Sequence, residues 1–128
     1  MLSKFVTFLL LLGLQVNAVS VKQIPETGTP PSPRELSGIT TDSSEKKLYI
    51  YGGRLEDMYS DFWEFDLTTL KWTEIYAGSM SDPGPRANAF LTSLKHRSEI
   101  LLFGGHATNG PVSDVWLYDI ENERVILT

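Results

Sequence analysis

The side chains that could carry chemistry are few in this chain of 128 residues, which contains two histidines and no cysteine. Protein metal sites need several converging ligands. His96 lies in the turn-like stretch LKHRSE, whereas His106 follows a glycine pair. We therefore expect no metal and no cofactor at these residues. The lack of cysteine excludes a disulfide framework and a thiol nucleophile.

Acidic residues offer a second possible chemistry, because two carboxyl groups about 5–10 Å apart can catalyse hydrolysis when one has a raised pKa. Asp61, Asp66, Asp114 and Asp119 flank two related segments of the chain. Aspartate at the end of a strand commonly accepts hydrogen bonds from its own turn. We therefore expect these aspartates to form turns, and nothing in their pattern points to paired catalytic carboxylates.

Two glycine pairs, Gly52-Gly53 and Gly104-Gly105, each follow an apolar run, KLYIY and EILLF. Glycines can cradle a phosphate where a helix follows them, but the next segments, RLEDMYSD and HATNGPVSD, are predicted loops. Glycine also permits a positive φ and the close approach of another backbone. The pairs are therefore predicted to end inner strands beside a neighbouring backbone.

The polar segments after the glycine pairs are the best candidates for binding, because loops on a rigid scaffold commonly carry recognition residues. These two segments differ from each other, whereas the strands around them match. The candidate binding residues are Arg54, Glu56, Asp57, Tyr59, His106 and Asn109.

The composition is that of an ordinary globular chain, with 41% hydrophobic residues, 21% charged residues and a net charge of −5. Nucleic acids and anionic membranes are bound through clustered lysine and arginine. The chain has no such cluster, so we expect neither nucleic acid nor an anionic membrane to be the main partner.

Residues 1–18, MLSKFVTFLLLLGLQVNA, have an early lysine, an apolar core and a small-residue end, which is the layout of a secretory signal. The core is much shorter than the roughly 20 residues that span a bilayer. We predict a cleaved signal peptide and a product that is secreted or lies in the endomembrane lumen. An uncleaved anchor and a buried N-terminal helix are the alternatives.

The rest of the chain contains an internal repeat with a period of about 50 residues, as in solenoids and propellers. Each copy runs from Pro-Arg through an apolar strand into Gly-Gly, and then to D-x-W-x-[FY]-D. The matched positions are Pro33, Arg34, Gly52, Gly53, Trp63 and Asp66 in the first copy and Pro85, Arg86, Gly104, Gly105, Trp116 and Asp119 in the second. Trp72 closes the first copy, and Val125 stands at its place in the second.

Each copy divides into four short strands separated by turn signals. The predicted strands cover 36–42, 47–52, 62–67 and 71–76 in the first copy and 87–94, 99–103, 114–120 and 124–128 in the second. Runs such as LYIY and ILLF are nearly continuous in apolar residues, which is typical of strands buried on both faces. A four-stranded sheet of this kind, repeated at this period, predicts an all-β fold with two propeller blades.

The order of these motifs resembles the Kelch repeat over residues 33 to 128. The resemblance implies a non-catalytic protein-binding platform. The alternative that it leaves open is the N-terminal part of a secreted propeller enzyme of the galactose-oxidase type, acting on carbohydrate or a small molecule. The copper oxidases of that type need a tyrosine cross-linked to cysteine, which this segment lacks.

The tryptophans and arginines of the repeat are expected to be structural. Trp63, Trp72 and Trp116 lie within predicted strands and are expected to pack between blades. A buried arginine needs a carboxylate or carbonyl partner. The candidate partners for Arg34 and Arg86 are Asp66, Asp119 and Glu64; a ligand-facing role is the alternative.

The predicted organisation is a signal peptide at 1–18, an N-terminal strand with a proline-rich linker at 19–32, and repeats at 33–80 and 81–128. Val21 and Ile24 match Trp72 and Ile75, so an edge strand is predicted before the first repeat.

A closed propeller has four to eight blades, and two blades would leave about 800 Å² of largely apolar face bare. We therefore expect an incomplete propeller, completed by further blades of a longer chain or by self-assembly. An independent two-blade fold is the alternative.

Overall fold

The structure is a computed structural model that describes residues 19–78 and 83–127, without the side chains of residues 125–127. The predicted signal peptide and the boundary between the repeats at residues 80 and 81 lie outside the described residues. Every regular element in the described ranges is a β-strand. Accordingly, no helix in this part of the chain is long and apolar enough to cross a bilayer.

The first sheet, blade 1, is antiparallel, and its four strands pair in chain order. Its strands are β1 (Gly38–Thr41), β2 (Lys47–Tyr51), β3 (Phe62–Asp66) and β4 (Lys71–Tyr76). These bounds confirm the four strands predicted for the first repeat to within a few residues. They also confirm the turns between them.

The second sheet, blade 2, is also antiparallel and is four strands wide. Its strands are β5 (Arg86–Ala87), β6 (Phe90–Leu94), β7 (Glu99–Ala107), β8 (Gly110–Asp119) and β9 (Arg124–Leu127). Both β5 and β6 pair with β7, because Asn88 has a φ of 56° and interrupts this edge. The predicted all-β fold with two blades is confirmed.

The prediction of a long loop after the second glycine pair is wrong. Strand β7 continues through His106 to Ala107, and β8 starts at Gly110, opposite Ala107. The turn between them consists of Thr108 and Asn109. Asn109-Gly110 is a dipeptide that tight turns favour, and Gly110 has a φ of 119°. The segment is therefore a β-hairpin with a short tip.

The predicted edge strand before the first repeat is not formed. Residues 19–26 contain no strand, and Val21 is 92% exposed. The nearest backbone pairing is made by Thr27, whose N–H donates to the Leu70 carbonyl at 2.8 Å and whose carbonyl accepts from Trp72 N at 3.0 Å. A strand needs a ladder of such bonds, and the described strands offer this segment only one point of contact.

The two blades pack face to face, and the main core lies between them. Blade 1 contributes the side of its sheet that carries Tyr49, Tyr51 and Phe62, which we call face A. Each sheet has a second side, which we call face B, and the repeat gives both blades a face A and a face B. Blade 2 contributes its face B to the core. Its residues are Leu91, Ile100, Leu102, Trp116 and Tyr118.

Aromatic contacts and hydrogen bonds fix the register of this joint. The Phe62 ring meets the Tyr118 ring edge-on, with centroids 4.8 Å apart. The Tyr51 hydroxyl donates to the Pro83 and Gly84 carbonyls at 2.5 and 3.1 Å, just before β5. The Ser93 N–H donates to Thr40 Oγ1 at 3.2 Å.

The tryptophans occupy two different environments. Trp116 packs between the blades, as predicted. Trp63 is buried on face B of blade 1, the side turned away from blade 2. Trp72 lies on the same side, with its ring centroid 4.7 Å from that of Phe65. Trp63 and Trp72 therefore do not pack between the two blades described here.

Candidate functional site

An arginine–aspartate pair closes the base of the loop in the first repeat. Arg34 binds Asp61 in a two-pronged geometry, with Nη1 2.6 Å from Oδ1 and Nη2 2.8 Å from Oδ2. The same Nη1 also donates to the Gly52 carbonyl at 3.0 Å. The guanidinium therefore ties the end of β2 to the start of β3.

The second repeat has the same arrangement. Arg86 binds Asp114 at 2.6 and 2.9 Å and donates to the Gly104 carbonyl at 3.0 Å. In each repeat the tryptophan two residues after the aspartate donates its indole N–H to that carboxylate, at 2.6 Å from Trp63 and 2.5 Å from Trp116. We call each such set of arginine, glycine carbonyl, aspartate and tryptophan a clamp.

The clamps correct the partners expected for the arginines. The candidates Asp66, Asp119 and Glu64 are wrong, because Asp61 and Asp114 bind the two guanidinium groups. Asp66 and Asp119 instead accept hydrogen bonds from the backbone of the turns that follow them. The predicted turn role therefore holds for one aspartate of each repeat and fails for the other.

The clamps also shift the acidity of their carboxyl groups. Burial raises the pKa of Asp61, but the hydrogen bonds from Arg34 and Trp63 outweigh burial, and the net pKa is lowered. At Asp114 the bond from Arg86 is the largest effect and lowers the pKa. Both carboxylates are therefore stabilised in the charged form, which does not suit a general acid.

The first glycine pair lies where the backbones of the two blades are in direct contact. Gly52 and Gly53 have φ values of 61° and 94°. The Gly53 N–H donates to the Arg86 carbonyl at 2.9 Å, and the Arg86 N–H donates to the Tyr59 carbonyl at 3.1 Å. The pair thus has the positive φ and the close backbone neighbour that the sequence indicated.

A groove of about 250 Å³ lies beside this contact and joins equivalent parts of both repeats. It combines a guanidinium, an imidazole and an amide with apolar side chains, so it can hold both polar and apolar groups of a ligand. Its lining residues are Leu36, Arg54, Met58, Ala87, Asn88 and His106. We call it the loop groove.

Backbone pairing holds the walls of the loop groove. Leu36 and Asn88 have φ values of 57° and 56°, and the Asn88 N–H donates to the Leu36 carbonyl at 2.8 Å. Arg54 exchanges two backbone hydrogen bonds with Glu35, at 2.8 and 2.9 Å, and its Nε lies 3.1 Å from Glu35 Oε1. Arg54 and its partner are both well exposed, so the charged groups face solvent.

The structure brings only part of the predicted binding set together. Arg54 and His106 line the loop groove, whereas Glu56 and Asp57 are exposed in the same loop outside its lining. Tyr59 lies under the Arg34 guanidinium, whose central carbon is 4.2 Å from the ring centroid.

Asn109 lines a second depression of about 380 Å³ at the hairpin tip, next to the clamp of blade 2. Its binding role, like those of the other candidates, stays a prediction.

Leu36, Met58, Ala87 and Asn88 also line the loop groove, although sequence reasoning did not select them for binding. Leu36 and Asn88 stand at the same position of each repeat, two residues after the arginine of Pro-Arg. Their shared position was the available signal, but nothing in the residue types revealed the positive φ. Across the described residues, no group of three or more His, Cys, Asp or Glu is placed to hold a metal.

The paired sheets, the clamps and the joint between faces A and B define a β-propeller repeat protein. The family described as the KLHDC2/KLHL20/DRC7 Kelch-repeats domain matches residues 6–127. The chain therefore belongs to the Kelch-repeat family. Membership agrees with the two β-propeller blades of the structure.

Individual relatives support this assignment. The chain is 32% identical over 95 residues to Kelch domain-containing protein 1 of Mus musculus, a match that covers 73% of this chain and 23% of that protein. It is 41% identical over 58 residues to Tip elongation aberrant protein 3 of Schizosaccharomyces pombe, which covers 45% of this chain and 5% of that protein.

A third relative, the Rho GTPase-activating protein gacHH of Dictyostelium discoideum, is 24% identical over 111 residues, covering 84% of this chain and 7% of that protein. The chain thus spans less than a quarter of the length of each of these relatives.

Proposed function

We propose that this chain is a non-catalytic protein-binding platform whose contact site for a partner protein is the loop groove. One observation carries the proposal: equivalent segments of the two repeats place Arg54 and His106 on one groove, beside the close contact between the blades. The strands below are fixed by the clamps, so the groove is presented on a rigid base.

The chemistry of the groove fits a segment of protein. Arg54 and Asn88 offer hydrogen-bond donors, while Leu36, Met58 and Ala87 offer apolar contact. Arginine and methionine are enriched at protein interfaces. We expect the partner to present a carboxylate or backbone carbonyl to Arg54 and an apolar side chain to Met58.

Site-specific photo-crosslinking tests this proposal with a matched pair of histidines. A photo-reactive amino acid replaces His106 in the groove in one variant, and it replaces His96, in the exposed turn at the other end of β7, in the control. In an extract of the source organism, we expect the His106 variant to capture a discrete protein and the His96 variant not to capture it.

Two arginine substitutions sharpen the same experiment. Arg54→Ser should reduce the captured product, whereas Arg97→Ser should not, although each arginine is exposed and paired with a glutamate. Equal capture from both histidine positions, or a product that is insensitive to Arg54→Ser, would overturn the assignment of the groove as the contact site.

We also propose that residues 1–18 direct the chain into the secretory pathway. The lysine, the apolar core and the small-residue end support this proposal. The family match starts at residue 6, so cleavage after Ala18 would remove the first matched residues. Recovery from the medium of a product starting at Val19 is the expected result, and a cytosolic product starting at Met1 would contradict it.

A further inference from the structure

Each blade has one face in the joint and one face outside it. Inside the chain, face A of blade 1 packs against face B of blade 2. The chain therefore also has a second face A, on blade 2, and a second face B, on blade 1, that the joint does not cover. These two remaining faces are the two halves of the same kind of joint.

The remaining face A carries large apolar side chains that are open to solvent. Phe103 is 45% exposed and takes the place that the buried Tyr51 has in blade 1. Phe90, on the neighbouring strand opposite Phe103, is 59% exposed. An exposed aromatic cluster of this kind on a sheet is typical of an interaction surface.

The remaining face B is apolar but partly covered by its own blade. Ile39 is 56% exposed and takes the place that the buried Leu91 has in blade 2. Leu48 and Ile50 are half-buried, whereas Phe65 is buried and in contact with Trp72. The accessible part of this face is therefore centred on β1 and β2.

The glycine pairs give an independent sign of where a neighbour belongs. Gly52 and Gly104 have the same φ of 61°. A Cβ at Gly52 would lie 2.4 Å from the Arg86 carbonyl oxygen of the next blade. A Cβ at Gly104 would meet, among the described residues, only the Val112 carbonyl oxygen at 3.0 Å. In blade 2 the place of that approaching carbonyl is open.

We propose that a second copy of this chain docks head to tail, with its blade 1 face B on the blade 2 face A of the first copy. The joint inside the chain is the template: Ile39 of one copy takes the position of Leu91, and Phe103 of the other takes that of Tyr51. Arg34 of the incoming copy would bring its carbonyl to Gly104, as Arg86 does to Gly52.

The copied joint differs from its template at several positions, and the largest steric difference lies on the first strand. Gly38 faces Leu91 inside the chain, and a Cβ at Gly38 would lie 3.1 Å from the Leu91 Cβ. Phe90 stands at the equivalent place in blade 2. The first strands of two docked copies must therefore lie further apart than β1 and β6 do, with the Phe90 ring filling the added space.

Area indicates that docking closes a ring. Two faces of about 400 Å² bury about 800 Å² in one joint, below the roughly 1,200–2,000 Å² of a standard stable interface. In a ring every copy takes part in two joints, which together reach that range. A head-to-tail contact that closes after roughly two to four copies gives the four to eight blades of a propeller.

Sedimentation of the purified full chain tests the proposal. We expect an assembly of roughly two to four copies, which Ile39→Glu and Phe103→Glu each convert to monomer. Leu55→Glu is the matched control, because Leu55 is 59% exposed in the loop and lies on neither face. This control should sediment like the unaltered chain.

Mixing distinguishes head-to-tail docking from other contacts. Ile39→Glu retains an intact face A, and Phe103→Glu retains an intact face B, so an equimolar mixture can form one joint of about 800 Å² and nothing larger than a dimer. Because a single joint of this size is weak, we expect this dimer at protein concentrations well above those at which the unaltered chain assembles, and we examine the mixture there. If the unaltered chain forms an open polymer that each substitution converts to monomer, the head-to-tail docking is supported and the closure of a ring is ruled out. A monomeric unaltered chain, a mixture that stays monomeric, or either variant dimerising alone would overturn the proposal.

A further variant tests the joint without adding charge. Phe90→Gly restores the glycine of the template, so it should let the strands approach and lower the concentration at which copies assemble. If this variant assembles less readily than the unaltered chain, the docked joint does not follow the internal one.

Discussion

The backbone carbonyl of Arg86 occupies the space that a side chain at Gly52 would need. A Cβ there would lie 2.4 Å from that oxygen, and Gly53 N, one residue on, donates to the same oxygen at 2.9 Å. The end of an inner strand in one repeat is thus fitted to the first strand of the next. This contact explains why the residue must be glycine.

Replacing this glycine should be costly. We expect Gly52→Ala to lower the free energy of unfolding by about 2–5 kcal/mol, because a positive φ and a backbone clash add together. Gly110→Ala is the control, since Gly110 also has a positive φ but nothing lies within 4 Å of its added Cβ. Urea denaturation should show a loss at least about 1 kcal/mol smaller for the control; equal losses would contradict the close-contact explanation.

Breaking the clamp of the first repeat should lower the free energy of unfolding far more than breaking a surface ion pair. Arg34 and Asp61 have side chains that are only 7% and 13% exposed. Asp61→Asn should therefore destabilise the fold by about 3–5 kcal/mol, because it leaves a buried guanidinium without its counter-charge.

Glu35→Gln is the matched test for an exposed pair, since Arg54 and Glu35 are 49% and 60% exposed. We expect this variant to lose about 1 kcal/mol or less in the free energy of unfolding, measured by the same denaturation. Similar losses for the two variants would show that the clamp does not stabilise through its buried charge.

Acid should weaken the fold through the two clamps. The pKa values of Asp61 and Asp114 are lowered in the folded state. Their stabilisation is therefore present above the unfolded-state value of about 3.9 and is lost as the pH falls through the folded-state pKa.

We expect the urea concentration at the unfolding midpoint to decrease as the pH is lowered from about 4 to about 2. Asp114→Asn should make this decrease of the midpoint with pH smaller without abolishing it, because Asp42, Asp66 and Asp119 also have lowered pKa values. A midpoint that is flat over this range would contradict the assignment.

Alkali should unfold the joint between the blades before its phenols ionise. Burial raises the pKa of Tyr118 to about 12, and it also raises those of Tyr49 and Tyr51 above their ordinary value of 10.0. The contribution of these buried phenols to the free energy of unfolding is therefore fully present below their ordinary pKa of 10.0. It is lost as the pH rises toward their folded-state pKa values.

Tyrosinate absorbance and circular dichroism, followed together, test this prediction. The main rise in absorbance should coincide with the loss of sheet signal, and Tyr118→Phe should make the absorbance rise smaller. A large rise while the sheet signal is intact would show that these hydroxyl groups are accessible in the folded protein.

The strands could be predicted because their pattern is local. Runs such as KLYIY and FWEFD contain the apolar residues that a doubly packed strand needs, and the structure has β2 and β3 at those positions. The hairpin tip at Thr108–Asn109 was missed, although Asn109-Gly110 carried a turn signal. The length of the polar segment suggested a loop, but cross-strand pairing extended both strands.

The partner of each clamp arginine was missed for a reason of topology. Asp61 and Asp66 flank the same strand, and residue type does not separate them. In the antiparallel register, Tyr51 lies opposite both Gly38 and Phe62, so the start of β1 and the start of β3 meet at the end of β2. Arg34 approaches from that end, where Asp61 lies, while Asp66 is at the far end of β3.

The clamps also have a consequence for sequence variation above them. Each guanidinium anchors both ends of its loop, at the Gly52 carbonyl and Asp61 in one repeat and at the Gly104 carbonyl and Asp114 in the other. The two segments between those anchors differ in length and in conformation, yet both begin at a glycine carbonyl and end at an aspartate carboxylate that the arginine binds. New sequences inserted at the exposed residues 55–57 or at the Thr108–Asn109 turn should be accommodated without disturbing the sheets, so the two repeats offer a frame into which foreign loops can be grafted.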